Sequence, residues 1–122
     1  MHEHTGRLIR RLTRAAEELD QGAVWADTED RMRARRLRAA AYSATSAAER
    51  LGRDFSVELS FEAYERYDLL AVAAECGGWI GNGHPDHRTE TPMRELLRQL
   101  EDERLVAYDA DRRCWDLARH NH

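Results

Sequence analysis

Five arginines fall within eight residues, at Arg31, Arg33, Arg35, Arg36 and Arg38. A guanidinium is always charged and presents its donors in a rigid fork, so such a cluster suits phosphate oxygens or the carboxylates of an acidic partner. On a helix Arg31, Arg35 and Arg38 line one face and form one candidate basic surface. A second candidate set lies further along the chain. Arg94 and Arg98 make an i, i+4 pair, Arg88 precedes them, and Arg112 and Arg113 follow in a polar turn. Glu95, Glu101, Asp102 and Glu103 stand on the same segment as Arg98. The competing reading of both sets is a solvated face laced with ion pairs.

The remaining reactive side chains do not assemble into a catalytic pattern. Cys76, His84, His87 and Cys114 offer a Cys2His2 inventory, but the cysteines stand singly and far apart, without the paired knuckle of a structural zinc site. No metal and no other cofactor is expected. All 19 basic residues are arginine, which excludes a P-loop lysine, a Schiff-base lysine and a kinase-type phosphate lysine. Ser43, Ser46, Ser56 and Ser60 have no accompanying His/Asp pattern. The chain is read as a binding protein and not as an enzyme.

With 122 residues, 42% of them hydrophobic and 34% charged, the chain is one ordinary domain or two very small ones. No stretch approaches the roughly 18 apolar residues of a membrane span, and no signal peptide is visible. The two cysteines suit a reducing compartment, so a cytoplasmic protein without membrane contact is expected. The net charge of −4 is unevenly distributed. Residues 1–60 hold 11 arginines and 10 acids, a net of +1, whereas residues 61–122 hold 8 arginines and 13 acids, a net of −5. Pairing between the two halves is one use for that asymmetry.

These side chains need elements to carry them. Leu8, Leu12, Ala15, Ala16 and Leu19 predict an amphipathic helix over 7–20, ended by Gln21-Gly22. A second helix is predicted after Asp27 or Thr28, with Glu29 and Asp30 in its first turn, running to Leu51 before Gly52. Its seam of Ala34, Leu37, Ala41, Ala44, Ala48 and Leu51 has heptad-like spacing and little bulk, so another helix can approach closely. That seam is the candidate interface, for docking within the chain or for a homodimer. Residues 55–59 alternate like a short strand, and Ser60 caps a helix over about 61–76 that ends at Gly77-Gly78. Residues 77–91 read as loop or very short structure, with room for one helical turn at most. Thr91-Pro92 opens a further helix with a stripe of Met93, Leu96, Leu97, Leu100, Leu105 and Val106. A hairpin follows, with its turn at residues 109–112. The expected core is Leu12, Leu37, Leu69, Leu70, Leu96, Leu97, Leu100 and Trp115; the pattern does not place Trp25 and Trp79, and an exposed aromatic at either would point to a partner surface.

The leucine-striped helix, its exit at Leu105-Val106 and the polar turn from Asp109 to Arg113 resemble the last helix and wing of winged helix-turn-helix proteins, the superfamily of MarR-like and PadR-like regulators. The preceding helix, ending Leu69-Leu70-Ala71-Val72-Ala73-Ala74-Glu75-Cys76-Gly77-Gly78, is similar to the family's first helix and its glycine exit. The resemblance covers about residues 60–118. Arg104 stands where that family usually has a glycine. The resemblance implies a mainly α fold with a small C-terminal β-hairpin: an N-terminal helical pair over 1–54, a winged-helix-like unit over 55–118 and a tail over 119–122. It also implies duplex DNA as partner and a dimeric transcriptional regulator, with contacts from Arg88, Arg94, Arg98, Arg112 and Arg113. The alternative is a protein-binding adaptor or phage-type inhibitor that presents an acidic surface on the same scaffold.

Overall fold

The structure is a computed structural model that describes residues 3–53, 59–80 and 91–118, with the backbone alone at residues 91–94. Four helices and a small three-stranded antiparallel sheet are built from these residues. Helix α1 spans Glu3–Ala26 and buries Leu8, Leu12, Ala15, Ala16, Leu19, Ala23 and Ala26 along one stripe. It therefore runs well past the predicted stop at Gln21-Gly22. Glycine inside a helix costs about 1 kcal/mol relative to alanine, but Ala23 and Ala26 continue the buried stripe, and burial against a neighbour overrides so weak a preference.

Helix α2 spans Arg31–Arg53. Asp30 precedes it and does not sit in its first turn: Asp30 Oδ1 accepts the Arg33 backbone N–H at 3.0 Å, the capping role open to a short acidic side chain. Gly52 falls inside the last turn. All six seam residues are buried, and the α1–α2 pairing is the most extensive in the molecule. The seam is thus covered within the chain, chiefly by α1. Alanine at four of its six positions is what lets the two helices close on each other.

Helix α3 spans Phe61–Glu75, and the Ser60 hydroxyl accepts the Ala63 N–H at 3.1 Å, as its N-cap position predicts. Its exit is a left-handed turn with Gly77 at φ 104° and Gly78 at φ 91°, closed by the Gly78 N–H donating to the Ala73 carbonyl at 2.8 Å. Only glycine fits at Gly78, because a Cβ there would lie 2.8 Å from the Ala40 Cβ of α2. The turn leads into β1, Trp79–Ile80, a strand not expected from the sequence beyond very short structure. Helix α4, Thr91–Asp102, is followed by β2, Val106–Asp109, and β3, Cys114–Leu117. The sheet order is β1-β3-β2, so the predicted hairpin gains a third strand on its β3 edge. Two characters limit β1's legibility: it is two residues long, and its partner lies far along the chain.

One core cluster runs through both halves, joining Leu8, Leu12 and Leu37 to Leu70, Leu100, Leu105, Val106 and Leu117. Leu69, Leu96 and Trp115, expected in the core, are only half-buried. Trp115 packs against the core from its edge and lies beside Tyr108 across the sheet, their rings 5.2 Å apart. The predicted strand over 55–59 lies outside the described residues except for Leu59, which is not in a strand.

Candidate nucleic-acid interface

The junction between α4 and β2 decides where the turn of the hairpin points. Arg104 adopts φ 63°, the left-handed conformation that glycine takes without cost. Around it the Arg104 N–H donates to the Glu101 carbonyl at 2.9 Å and the Leu105 N–H to the Leu100 carbonyl at 2.9 Å, a complete helix-ending motif. The position usually held by glycine therefore keeps glycine geometry with an arginine side chain.

Helix α2 clamps this junction from the other half of the chain. Buried Ser43 donates to the Leu105 carbonyl at 2.5 Å, and one turn pair further along Arg50 donates to the Glu103 carbonyl at 2.8 Å and to Glu103 Oε1 at 3.0 Å. Tyr67 of α3 donates its hydroxyl to the same carboxylate at 2.6 Å, and burial followed by this bond pushes the phenol up to about 12. Arg66 Nε lies 2.6 Å from Glu103 Oε2, yet its N–H is not aligned as a hydrogen bond, so the attraction is Coulombic. Arg66 Nη1 meanwhile donates to Gln99 at 3.1 Å. A second clamp ties α1 to α3. Arg11 donates to Asp68 at 2.7 Å and to both oxygens of Glu75 at 2.9 and 3.0 Å. The Glu75 carboxyl is held below its ordinary value chiefly by that hydrogen bonding. Arginines of the first half thus neutralise acids of the second, the pairing its charge asymmetry suggested.

Ion pairing sorts the remaining arginines. Arg98 is exposed and lies 3.4 Å from Glu95. Arg112 folds back onto Asp116 at 2.7 and 3.0 Å and onto Asp109 at 3.4 Å. Arg113 is exposed at φ 54°, and Arg38 reaches Asp27 at 3.3 Å. Arg31, Arg33, Arg35 and Arg36 form no ion pair among the described residues. Arg88 lies outside the described residues, and of Arg94 only its place in the first turn of α4 is described. Arg7, Arg10, Arg14, Arg53, Arg104 and Arg113 likewise form no ion pair among the described residues, so unpaired positive charge lies on α1 and at the hairpin as well as at the start of α2.

Two of those free guanidiniums meet the hairpin. Arg33 and Arg36, one turn apart on α2, line a cleft of about 330 Å³ together with the Gly77-Gly78 turn, Trp79, Arg112 and Asp116. Asp116 is half-buried there, and burial raises its carboxyl above the ordinary value, with the Arg112 charge opposing the shift. Burial likewise raises the Cys114 thiol, whose Sγ lies 3.8 Å from Asp116 Oδ1. Arg112 accordingly converges with Arg33 and Arg36, a grouping that the linear spacing of the sequence does not reveal. Sequence reasoning also passed over Arg7, Arg10 and Arg14, which with Arg11 line a groove along α1. Their i, i+3, i+7 spacing was the available signal. It missed Glu103 and Tyr67 too, because an acid in a charged run and a tyrosine on a helix have no local mark of a shared partner.

Among the described residues no group of His, Cys, Asp and Glu is arranged to hold a metal ion; Cys76 is exposed, Cys114 is buried, and His84 and His87 lie outside the description. No described helix is long and apolar enough to cross a membrane. No family model, curated protein or solved structure matches the chain, so its geometry and charge are what speak for its function.

Proposed function

We propose that the protein binds duplex DNA as a winged-helix-like regulator, gripping the phosphate backbone with α2 beside the hairpin turn. The observation that carries this reading is the set of four guanidiniums, Arg31, Arg33, Arg35 and Arg36, in the first two turns of α2, none of which forms an ion pair among the described residues. Phosphate contacts supply most of non-specific affinity, and they require charge that is not already spent on internal pairs. The run of α4 through Arg104 and Leu105-Val106 into a polar-turned hairpin is the order the resemblance implies, and it supports a helix-and-wing arrangement next to that basic face.

Fluorescence anisotropy of a labelled random duplex tests this. Salt-sensitive binding is expected, with a log-log slope of about −4 if four or five phosphates are neutralised. Charge reversal at Arg31 and Arg35 should weaken binding at least about tenfold and make the slope shallower by about 2. Absence of binding at about 50 mM salt overturns the reading.

A second reading rests on the exposed side of α4, where Glu95 and Asp102 accompany Arg98. An adaptor or phage-type inhibitor that mimics nucleic acid would bind no duplex. It would instead displace duplex from a basic DNA-binding protein in the same assay.

A further inference from the structure

We propose that the cleft between α2 and the turn joining α3 to β1 binds a small anionic aromatic ligand of the nucleoside monophosphate class. The proposal does not depend on duplex binding. Arg33, Arg36 and Arg112 line the cleft with one carboxylate, Asp116, and Asp109 pairs with Arg112 from outside it, which leaves the cleft net positive. A phosphate monoester carries about −1.5 to −2 near neutral pH and is drawn to that positive charge. Arg112 is held in place by Asp116 and Asp109, whereas Arg33 and Arg36 form no ion pair among the described residues, Arg36 acting on Asp116 only at longer range, and stand one turn apart on the same helix face. Two forks so placed can share the oxygens of a single phosphate group.

The aromatic half of the ligand follows from Trp79. The residue is 41% exposed and lines the cleft, and its ring lies near the glycine turn: a Cβ on Gly77 would come 3.4 Å from Trp79 Nε1. Close to that turn and partly exposed, the ring can stack on a base, the sequence-tolerant contact that binds single nucleotides. The cleft's 330 Å³ falls at the small end of ligand pockets, which run from about 300 to 1,000 Å³. That is room for one nucleotide and not for a polymer.

Isothermal titration of the full chain with AMP, GMP, adenosine and inorganic phosphate reads the proposal out. One nucleotide per chain should bind saturably, at least about tenfold tighter than either adenosine or phosphate alone, because each supplies half of the contact. Arg33→Ala with Arg36→Ala should weaken the nucleotide at least about tenfold, and Trp79→Leu should bring its affinity close to that of phosphate. Alkylation of Cys76, exposed at the same cleft, should slow when the nucleotide is bound. No saturable heat up to about 5 mM overturns the proposal, as does equal binding of phosphate and nucleotide or an unchanged affinity in the double arginine variant.

Discussion

Arg104 shows how much conformational cost a single residue can carry. A non-glycine residue held near φ 63° gives up roughly 1–2 kcal/mol that glycine would not, and here no hydrogen bond or ion pair of the Arg104 side chain among the described residues offsets it. Arg104→Gly should therefore raise stability by about 0.5–1 kcal/mol, even after the added freedom of glycine in the unfolded chain is counted. Urea unfolding checks it: the midpoint should rise with the slope unchanged. A lower midpoint would mean that the arginine makes a stabilising contact at this junction. The identity of Arg104 was plain from sequence and so was its departure from glycine, but its dihedral was not, because an exposed arginine in a charged run carries no sign of its backbone conformation.

At the scale of elements, the clamps between helices respond to pH in opposite directions. Glu75 is depressed by its hydrogen bonds with Arg11, so the stability it contributes is present above its unfolded value of 4.5 and is lost as the pH falls through the lower folded value. Glu75→Gln should lower the melting temperature at pH 7, and the difference from the parent should close as the pH drops below about 4. Both partners are partly exposed, so the effect belongs to the range of screened pairs, on the order of 1 kcal/mol or less. A gap that persists at pH 3 would assign the role of Glu75 to packing. Tyr67 behaves the other way. Its phenol is raised from 10.0 to about 12, so its contribution is complete below pH 10 and disappears as the pH rises through the folded value. Neither clamp was legible in the sequence, since each joins residues more than thirty positions apart.

Across the whole molecule, the alanine seam of α2 is spent on α1. Ala44 is completely buried inside the helical pair, and a leucine there has no space to enter. Ala44→Leu should destabilise the chain by about 1–3 kcal/mol through overpacking while leaving the particle mass by light scattering unchanged. A change of mass with little loss of stability would return the seam to a role between chains. The same interior explains why the two predicted segments act together: α2 supplies Ser43 and Arg50 to the α4–β2 junction and Arg33 and Arg36 to the cleft beside the hairpin. The charged start of α2 is thus one wall of the cleft beside the hairpin.

Hydrophobic period and terminator residues sufficed to reveal a mainly helical chain, the buried seam, the Ser60 cap, the glycine exit of α3 and the closing hairpin, because each is encoded by neighbours within a few turns. The tertiary structure alone decided which arginines remain free, that β1 joins β3, and that Arg112 meets Arg33 and Arg36. The physical reason is range. Periodicity and capping act over a few residues, whereas the neutralisation of a charge depends on whichever carboxylate folding brings within 4 Å of it.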